Sequence, residues 1–393
     1  MIICVAGKNN IAVDVLEYLR RNYPDAMLCV VCNSDDTGKN SFQKSLRWYA
    51  NRFEIKEYLL DDVYAIKDLL FLSMEFDRLV NPELFCDARL YNIHFSYLPA
   101  YKGMYTSAIP ILLGERETGV TFHKIDSGVD TGDIIAQESF VIGNITCREL
   151  YLKYIKYGTD LVIKNLDDVI KGNEKSFQQP SLGSTYYSRK YIDYQDLKVD
   201  LKQTAQNIDQ QIRAFNFREY QLAAVYNRRI LSTCITNIKS IGKPGEIIIK
   251  NNSSMMISTM DYNIILNFDK FEELLNACES GDILKVKEIC IEKGHINSKN
   301  AMGWSPLMVA TYHNQIEIVS FLICIGADIW DVNNNGTNML MYAKEAYKRF
   351  GDNRLYRLYK KLGLQEERED YFGNNLYHYL SEEDIGLQEL IVG

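Results

Sequence analysis

Two short stretches carry residue types suited to acyl chemistry. The first, YNIHFSYLPAYKG at residues 91–103, sets an amide, Asn92, two positions before an imidazole, His94. Side chains alternate along a strand, so both point to one side. The second, HKIDSGVDTGDII at residues 123–135, places Asp126, Asp130 and Asp133 around two glycines. A carboxylate carried to His94 by such a loop would orient the ring and favour its protonated form. Amide, imidazole and carboxylate together can hydrogen-bond an oxyanion and relay a proton, as acyl transfer requires. A lone histidine at a strand end is more often packing; the second stretch tips the balance toward chemistry.

The flanking elements must hold these groups. MIICVAG reads as a short apolar strand, IAVDVLEYLRRNYP as an amphipathic helix and AMLCVVCNS as a strand, the opening of a parallel α/β sheet. DLLFLSM, ARLYNIH and GVTFHKID are further strands, with a helix over TSAIPILLGE. In such sheets ligands bind at the strand carboxyl ends, where Asn92 and His94 fall. Only GKNN follows the first strand, so no dinucleotide fingerprint is present and a dehydrogenase is excluded. Residues 144–172 read as a long helix with Thr146 as N-cap and Glu149 three positions on.

Beyond residue 180 the texture changes. Residues 181–267 combine a helical TAQNIDQQIRAF with β-like pieces, AAVYNRRILSTC, GEIIIKN, MMIST and YNIILNF, which predicts a small, mostly β unit with hairpins. From residue 268 the chain is helical and repetitive: GWSPLMVA begins at Gly303 and GTNMLMYA 33 residues later at Gly336. A degenerate further unit, DYFGNNLYHYLSEEDIGLQELI, begins near Asp370. The domains are therefore 1–180, 181–267 and 268–393, of overall α/β class.

A net charge of -8 disfavours nucleic acid as a partner. The nine cysteines are scattered; CVVC lacks a second close Cys/His pair, so reduced thiols are expected and no metal site. The first apolar run is too short for a signal or membrane segment, which predicts a cytoplasmic protein without membrane attachment.

NIHFSYLPAYKG followed by GVTFHKIDSGVDTGDII resembles the formyltransferases that use 10-formyltetrahydrofolate, over roughly residues 1–180. The resemblance implies a Rossmann-like catalytic domain, the triad Asn92, His94 and Asp130, and no metal. FLSMEFDRLVNP is similar to the family's pterin-binding segment, which implies Phe76, Arg78 and Leu79, with Asp126, Ser127, Gly128 and Val129, as the cosubstrate neighbourhood. An ordinary strand-to-helix turn is as good an account of each of the first three side chains.

The family's acceptors include glycinamide ribonucleotide, initiator methionyl-tRNA and nucleotide-linked amino sugars. Acidic charge disfavours tRNA, and the extra middle unit disfavours the purine precursor. TYYSRKYIDYQDL and NIDQQIRAFNFREYQ resemble sugar N-formyltransferases of surface-polysaccharide synthesis. Lys8, Lys102 and Arg213 are phosphate candidates, and Phe215 is a candidate for the base. The G-x-[ST]-P-L and G-A-D landmarks resemble ankyrin repeats, giving an all-α third domain. An ankyrin-bearing formyltransferase acting on a dTDP-linked amino-dideoxyhexose is the reading this combination implies, with dTDP-3-amino-3,6-dideoxyglucose as acceptor and a homodimer through the β unit. The residues themselves do not separate a 3-amino from a 4-amino sugar. Trp304 and Trp330 form either an aromatic site for a protein or second nucleotide, or seals between repeats. The rival account is a binding scaffold whose N-terminal domain is inactive; the intact Asn92, His94 and Asp130 set weighs against it.

Overall fold

The opening run forms β1 (Ile2–Gly7), followed by α1 (Asn9–Asn22) and β2 (Met27–Cys32), the strand–helix–strand that the apolar spacing predicts. The computed structural model describes residues 1–290 and 295–380. It forms two units, one of residues 1–39 and 43–268, the other beginning at Asp269.

In the first unit α2 (Leu46–Arg52), β3 (Lys56–Glu57), α3 (Leu60–Val63), β4 (Leu69–Met74) and β5 (Ala88–His94) continue the chain. After β6 (Lys102–Gly103) and α4 (Ile109–Leu112) come β7 (Glu117–Lys124), β8 (Ile134–Val141) and α5 (Cys147–Lys171). Seven strands pair in the order β3-β2-β1-β4-β5-β7-β8. The first five are parallel, while β7 and β8 run antiparallel to their neighbours. Every residue of β4 is buried, as expected for a central parallel strand covered on both faces. The sheet order reverses between β1 and β4, the place where open α/β sheets open a crevice. There Gly7 lets the strands close in: a Cβ would lie 1.8 Å from the Met74 carbonyl oxygen.

α5 starts as its sequence predicts. Thr146 Oγ1 accepts from the Glu149 amide and Glu149 returns the bond to the Thr146 N–H, a capping box. One expectation differs: TSAIPILLGE forms only the single turn of α4. β8, a segment left unassigned by the sequence pattern, adds a further strand.

The chain continues through β9 (Tyr186–Tyr187), α6 (Ala205–Phe215), β10 (Ala224–Val225), β11 (Arg228–Lys239), β12 (Ile247–Lys250), β13 (Ser254–Ile257) and β14 (Tyr262–Phe268). Five of these strands make an antiparallel sheet, β10-β11-β14-β13-β12. Tyr226 and Asn227, both left-handed, turn the β10–β11 hairpin. This sheet belongs to the same unit as the seven-stranded one, and α6 packs on α4 and α5.

The second unit stacks helix pairs: α7 (Phe271–Ser280) with α8 (Ile283–Cys290), α9 (Pro306–Tyr312) with α10 (Ile316–Cys324), and α11 (Met339–Phe350) with α12 (Arg354–Lys361). Leu274, Met308, Leu322, Met341 and Tyr359 lie in one continuous core, because no pair can cover its apolar face alone. The degenerate unit near Asp370 shows one 3₁₀ turn, Leu376–Tyr379, and its remainder from residue 381 lies outside the described residues. The cysteines are free thiols, and among the described residues no helix is long and apolar enough to cross a membrane. No group of three or more metal-ligating side chains occurs among them.

Candidate active site

β5 delivers Asn92 and His94 to the carboxyl end of the sheet, between parallel β4 and antiparallel β7. The loop between β7 and β8 brings Asp130 to them. Asp130 Oδ1 lies 3.5 Å from His94 Nδ1 and 3.5 Å from Asn92 Nδ2. Its other oxygen accepts the Gly103 N–H at 2.9 Å. Asp130 itself is left-handed, with φ 53; aspartate tolerates that region better than most residues. The structure thus brings the three residues of the sequence-predicted constellation together.

His94 is buried, and its tautomer follows from its partner. Nε2 lies 2.8 Å from the Tyr101 carbonyl oxygen, which can only accept, so Nε2 carries a hydrogen and Nδ1 faces the carboxylate. Both ring nitrogens are therefore occupied within the protein, and His94 can donate to a ligand oxygen only by sharing or displacing Tyr101. Asn92 is the amide donor that stands ready.

A fourth residue, His123, was not singled out by sequence. It is paired with Asn92 across β5 and β7. Its Nδ1 meets the Lys124 carbonyl at 2.7 Å and must carry the hydrogen, which leaves Nε2 as a bare acceptor 3.1 Å from Asn92 Nδ2. Burial pushes the His123 pKa down to about 4, against the opposing pull of Asp130 3.8 Å away. One Asn92 N–H is thereby committed to a neutral imidazole, and the other lies at the outer limit of reach to Asp130.

A strap of chain at residues 179–187 holds both halves of the site. Gln179 Nε2 donates to the carbonyls of Asp130 and Gly132, each at 2.9 Å. Thr185 Oγ1 accepts the Tyr101 N–H at 2.8 Å, and β9 pairs in parallel with β6. Gly103 is required here: its φ is +89, and a Cβ would sit 2.3 Å from the Tyr187 carbonyl oxygen.

Residues 1–166 match the family model described as formyl transferase, and residues 191–303 match its C-terminal domain. A solved N-formyltransferase from Helicobacter canadensis, in complex with folinic acid and dTDP-3-aminofucose, is 42% identical; the match covers 68% of this chain and 100% of that one, with a TM-score of 0.63. The chain belongs to the formyltransferase family.

A second solved relative of this formyltransferase, WlaRD, is a sugar 3N-formyltransferase determined with dTDP and 5-N-formyl-THF. It shares 42% identity over 68% of this chain and 97% of its own, with a TM-score of 0.63. Among curated relatives, the methionyl-tRNA formyltransferase of Nitrosospira multiformis is 30% identical over 50% of this chain and 62% of its own length. That of Coxiella burnetii is 35% identical over 32% and 40%. The chain spans less than two thirds of the length of these curated relatives. Residues 274–350 match ankyrin repeats in three copies, overlapping the end of the C-terminal formyltransferase model.

Around Asn92, His94 and Asp130, the other sequence-predicted residues separate into two groups. Asp126 Oδ1 caps its own turn, accepting from the Gly128 N–H at 3.0 Å and Thr131 Oγ1 at 2.6 Å, which leaves Ser127 and Gly128 exposed. Val129 is half-buried beside Asp130. Leu79 is 81% exposed, and the Arg78 guanidinium lies over the Phe76 ring.

The phosphate and base candidates fare differently. Arg213 is used inside the protein, bonded to Asp209 at 2.8 Å and to the Ile145 carbonyl at 3.2 Å. Phe215 is buried and has no open ring face of note to offer a base. Both side chains finish the apolar and hydrogen-bonded face of α6, so neither stands ready for a nucleotide. Lys8 is matched by Asp35 at 2.7 Å. Lys102 is half-buried on β6, next to Gly103. In the repeats, Trp304 packs edge-on against Tyr312 and Tyr342, whereas Trp330 is half exposed. Among the described residues no ring contact joins the two indoles.

Proposed function

We propose that this chain transfers a formyl group from 10-formyltetrahydrofolate to the amine of a dTDP-linked 3-amino-dideoxyhexose, dTDP-3-amino-3,6-dideoxyglucose being the acceptor that the sequence reading favours. The observation that carries this reading is the convergence of Asn92, His94 and Asp130 at the strand carboxyl ends. The acceptor class is supported by the two solved relatives at 42% identity, one complexed with dTDP-3-aminofucose and one with dTDP. Methionyl-tRNA is the second reading, supported by the partial curated matches and opposed by the net charge of -8. Formylated sugars of this type would serve surface-polysaccharide synthesis such as lipopolysaccharide, in the cytoplasm where folate donors are made.

The formyl donor supplies an electrophilic carbonyl carbon. Asn92 donates an N–H where negative charge gathers on the carbonyl oxygen, and His123 keeps that amide turned. Asp130 and His94 Nδ1 take the proton that the attacking amine sheds, and return one to the departing nitrogen. The strap fixes both loops, so little reorganisation accompanies the reaction.

Two further readings belong to this proposal. The middle sheet leaves Ile247, Ile248 and Ile249 on its edge strand β12 exposed, together with Ile238 and Ile241. An open apolar edge favours pairing with a second copy, hence a homodimer. In the repeats the half-exposed Trp330, rather than the packed Trp304, is the indole open to a second nucleotide or a protein ligand.

The test mixes purified protein, 10-formyltetrahydrofolate and a panel of dTDP- and UDP-amino sugars with methionyl-tRNA as a separate arm. Release of tetrahydrofolate and the product mass are followed. Turnover is expected with a dTDP-3-amino sugar; turnover with methionyl-tRNA alone overturns the acceptor.

A further inference from the structure

At the reversal of strand order, β1 runs into Lys8 and Asn9 while β4 runs into Glu75. Asn9 and Glu75 both adopt left-handed backbone, φ 66 and 59. Non-glycine residues seldom do so, and such strain is kept where surrounding structure builds a site. Glu75 Oε2 accepts from Asn9 Nδ2 at 3.1 Å and from the Tyr151 hydroxyl at 2.8 Å. Asn9 Nδ2 also reaches the Tyr151 oxygen at 2.8 Å, and Asn33 Nδ2 holds the Glu75 carbonyl at 2.9 Å. The carboxyl is thus fixed from two helices, α1 and α5, while Asn33 holds the backbone beneath it.

Its position matters as much as its fixation. Met74 pairs in register with Ile93, so Glu75 and His94 continue neighbouring strands side by side. Tyr151 packs edge-on against Phe95, the residue after His94, with ring centroids 6.1 Å apart. Glu75 Oε1 makes no hydrogen bond to any described residue. Of the charged groups on the adjoining turns, Lys8 is paired with Asp35, and Asp77 is bonded to Ser34 and pairs with Arg78. Enclosure raises the Glu75 pKa to about 7, with Tyr151, Asn9 and Lys8 pulling the other way.

We propose that Glu75, held by Asn9 and Tyr151, recognises the acceptor's ammonium group and takes its first proton. This rests on the formyl-transfer reading above. The acceptor arrives as R–NH3+; one N–H bond breaks, an O–H bond forms on the Glu75 carboxylate, and R–NH2 keeps the electron pair that attacks the formyl carbon. The second proton, shed during attack, goes to the Asp130–His94 pair.

The experiment measures equilibrium binding by calorimetry to the full chain without folate, using a dTDP-3-amino sugar, its neutral N-formyl product and dTDP. Wild type, Glu75→Gln and Tyr151→Phe are compared, with folding checked by circular dichroism and wild-type turnover measured in parallel. Glu75→Gln should weaken the amino sugar by about tenfold or more, since hydrogen bonds to charged groups are the strong ones. Binding of dTDP and the formylated product should change less than about twofold; Tyr151→Phe should give a smaller loss with the same selectivity, and decides the matter if the glutamine variant does not fold. Equal loss for amine and amide, or no loss, overturns the inference alone when wild type turns over. Wild type that binds and formylates no amino sugar overturns both readings.

Discussion

His123 Nε2 receives the amide hydrogen of Asn92 across 3.1 Å, and the two residues are direct partners on adjacent antiparallel strands. The amide proposed as the oxyanion donor is therefore aimed by a neutral ring. His123→Leu removes that acceptor and should lower kcat by on the order of tenfold to a hundredfold, the scale of a misplaced catalytic group.

The same pair sets an acid limit. The folded His123 pKa, about 4, lies below the ordinary 6.5, so between those values the unfolded chain binds a proton that the folded one refuses. Stability is whole above pH 6.5 and falls as pH drops through this window, by up to about 1.4 kcal/mol per pH unit for one proton. Denaturant titrations from pH 7 to 4 should show a shallower slope for His123→Leu than for wild type.

Asp130→Asn should reduce turnover by on the order of 100- to 1000-fold, comparable to deleting a principal transition-state contact. The amide can still accept the Gly103 N–H, so the loop is kept and the thermal midpoint should move little. His94→Ala should fall as far. A merely twofold change in steady-state kcat for either variant would remove these residues from the chemistry.

Gln179 hydrogen-bonds through its amide to backbone carbonyls, so its loss should appear in rate rather than in affinity. Gln179→Leu frees the carbonyls of Asp130 and Gly132, and kcat should fall about tenfold while KM for donor and acceptor stays within about twofold. Gln179→Asn, with the same amide on a shorter stem, should recover part of the loss; equal defects in kcat and KM would assign the residue to binding instead.

Glu75 carries the opposite pH signature from His123. Its folded pKa of about 7 exceeds the unfolded 4.5, so stability is fully present below pH 4.5 and is lost as pH rises through 7. Lys8, Tyr151 and Tyr220 interact with the same carboxyl, and each is held above its ordinary value, so they titrate above that window. Glu75→Gln should match wild type near pH 4.5 and gain on the order of 1–3 kcal/mol at pH 8, measured by chemical denaturation. A stabilised but impaired variant is what a strained functional carboxyl predicts.

The apolar edge of the middle sheet makes a prediction about assembly. Ile248→Lys with Ile249→Lys places charge on an edge strand, the common way of blocking edge pairing. Light scattering should report a dimer for wild type and a monomer for this double variant, with thermal unfolding of each protein cooperative.

Much of this architecture is legible in the sequence because it is local. Apolar runs mark β1, β4 and β5; Thr146 and Glu149 mark the start of α5; the 33-residue interval marks the repeats. What escapes is set by register and by distance along the chain. IIAQESFV carries polar residues through its middle and follows glycines, so no pattern marks β8. His123 gains its role only from an antiparallel pairing with Asn92, and Gln179 only from a fold that returns 49 residues to reach Asp130. Arg213 and Phe215 show the converse: type and neighbourhood suggested a nucleotide, while α6 had already used both side chains.

The strap also says where this protein can be divided. The N-terminal family match stops at residue 166, yet the atoms that fasten Asp130 and Tyr101 come from residues 179–187. Recombination or truncation at the sequence boundary would separate Asp130 and Tyr101 from their own fastening and leave the loops that carry them untied. A crossover that keeps the fastening intact has to fall downstream of Tyr187.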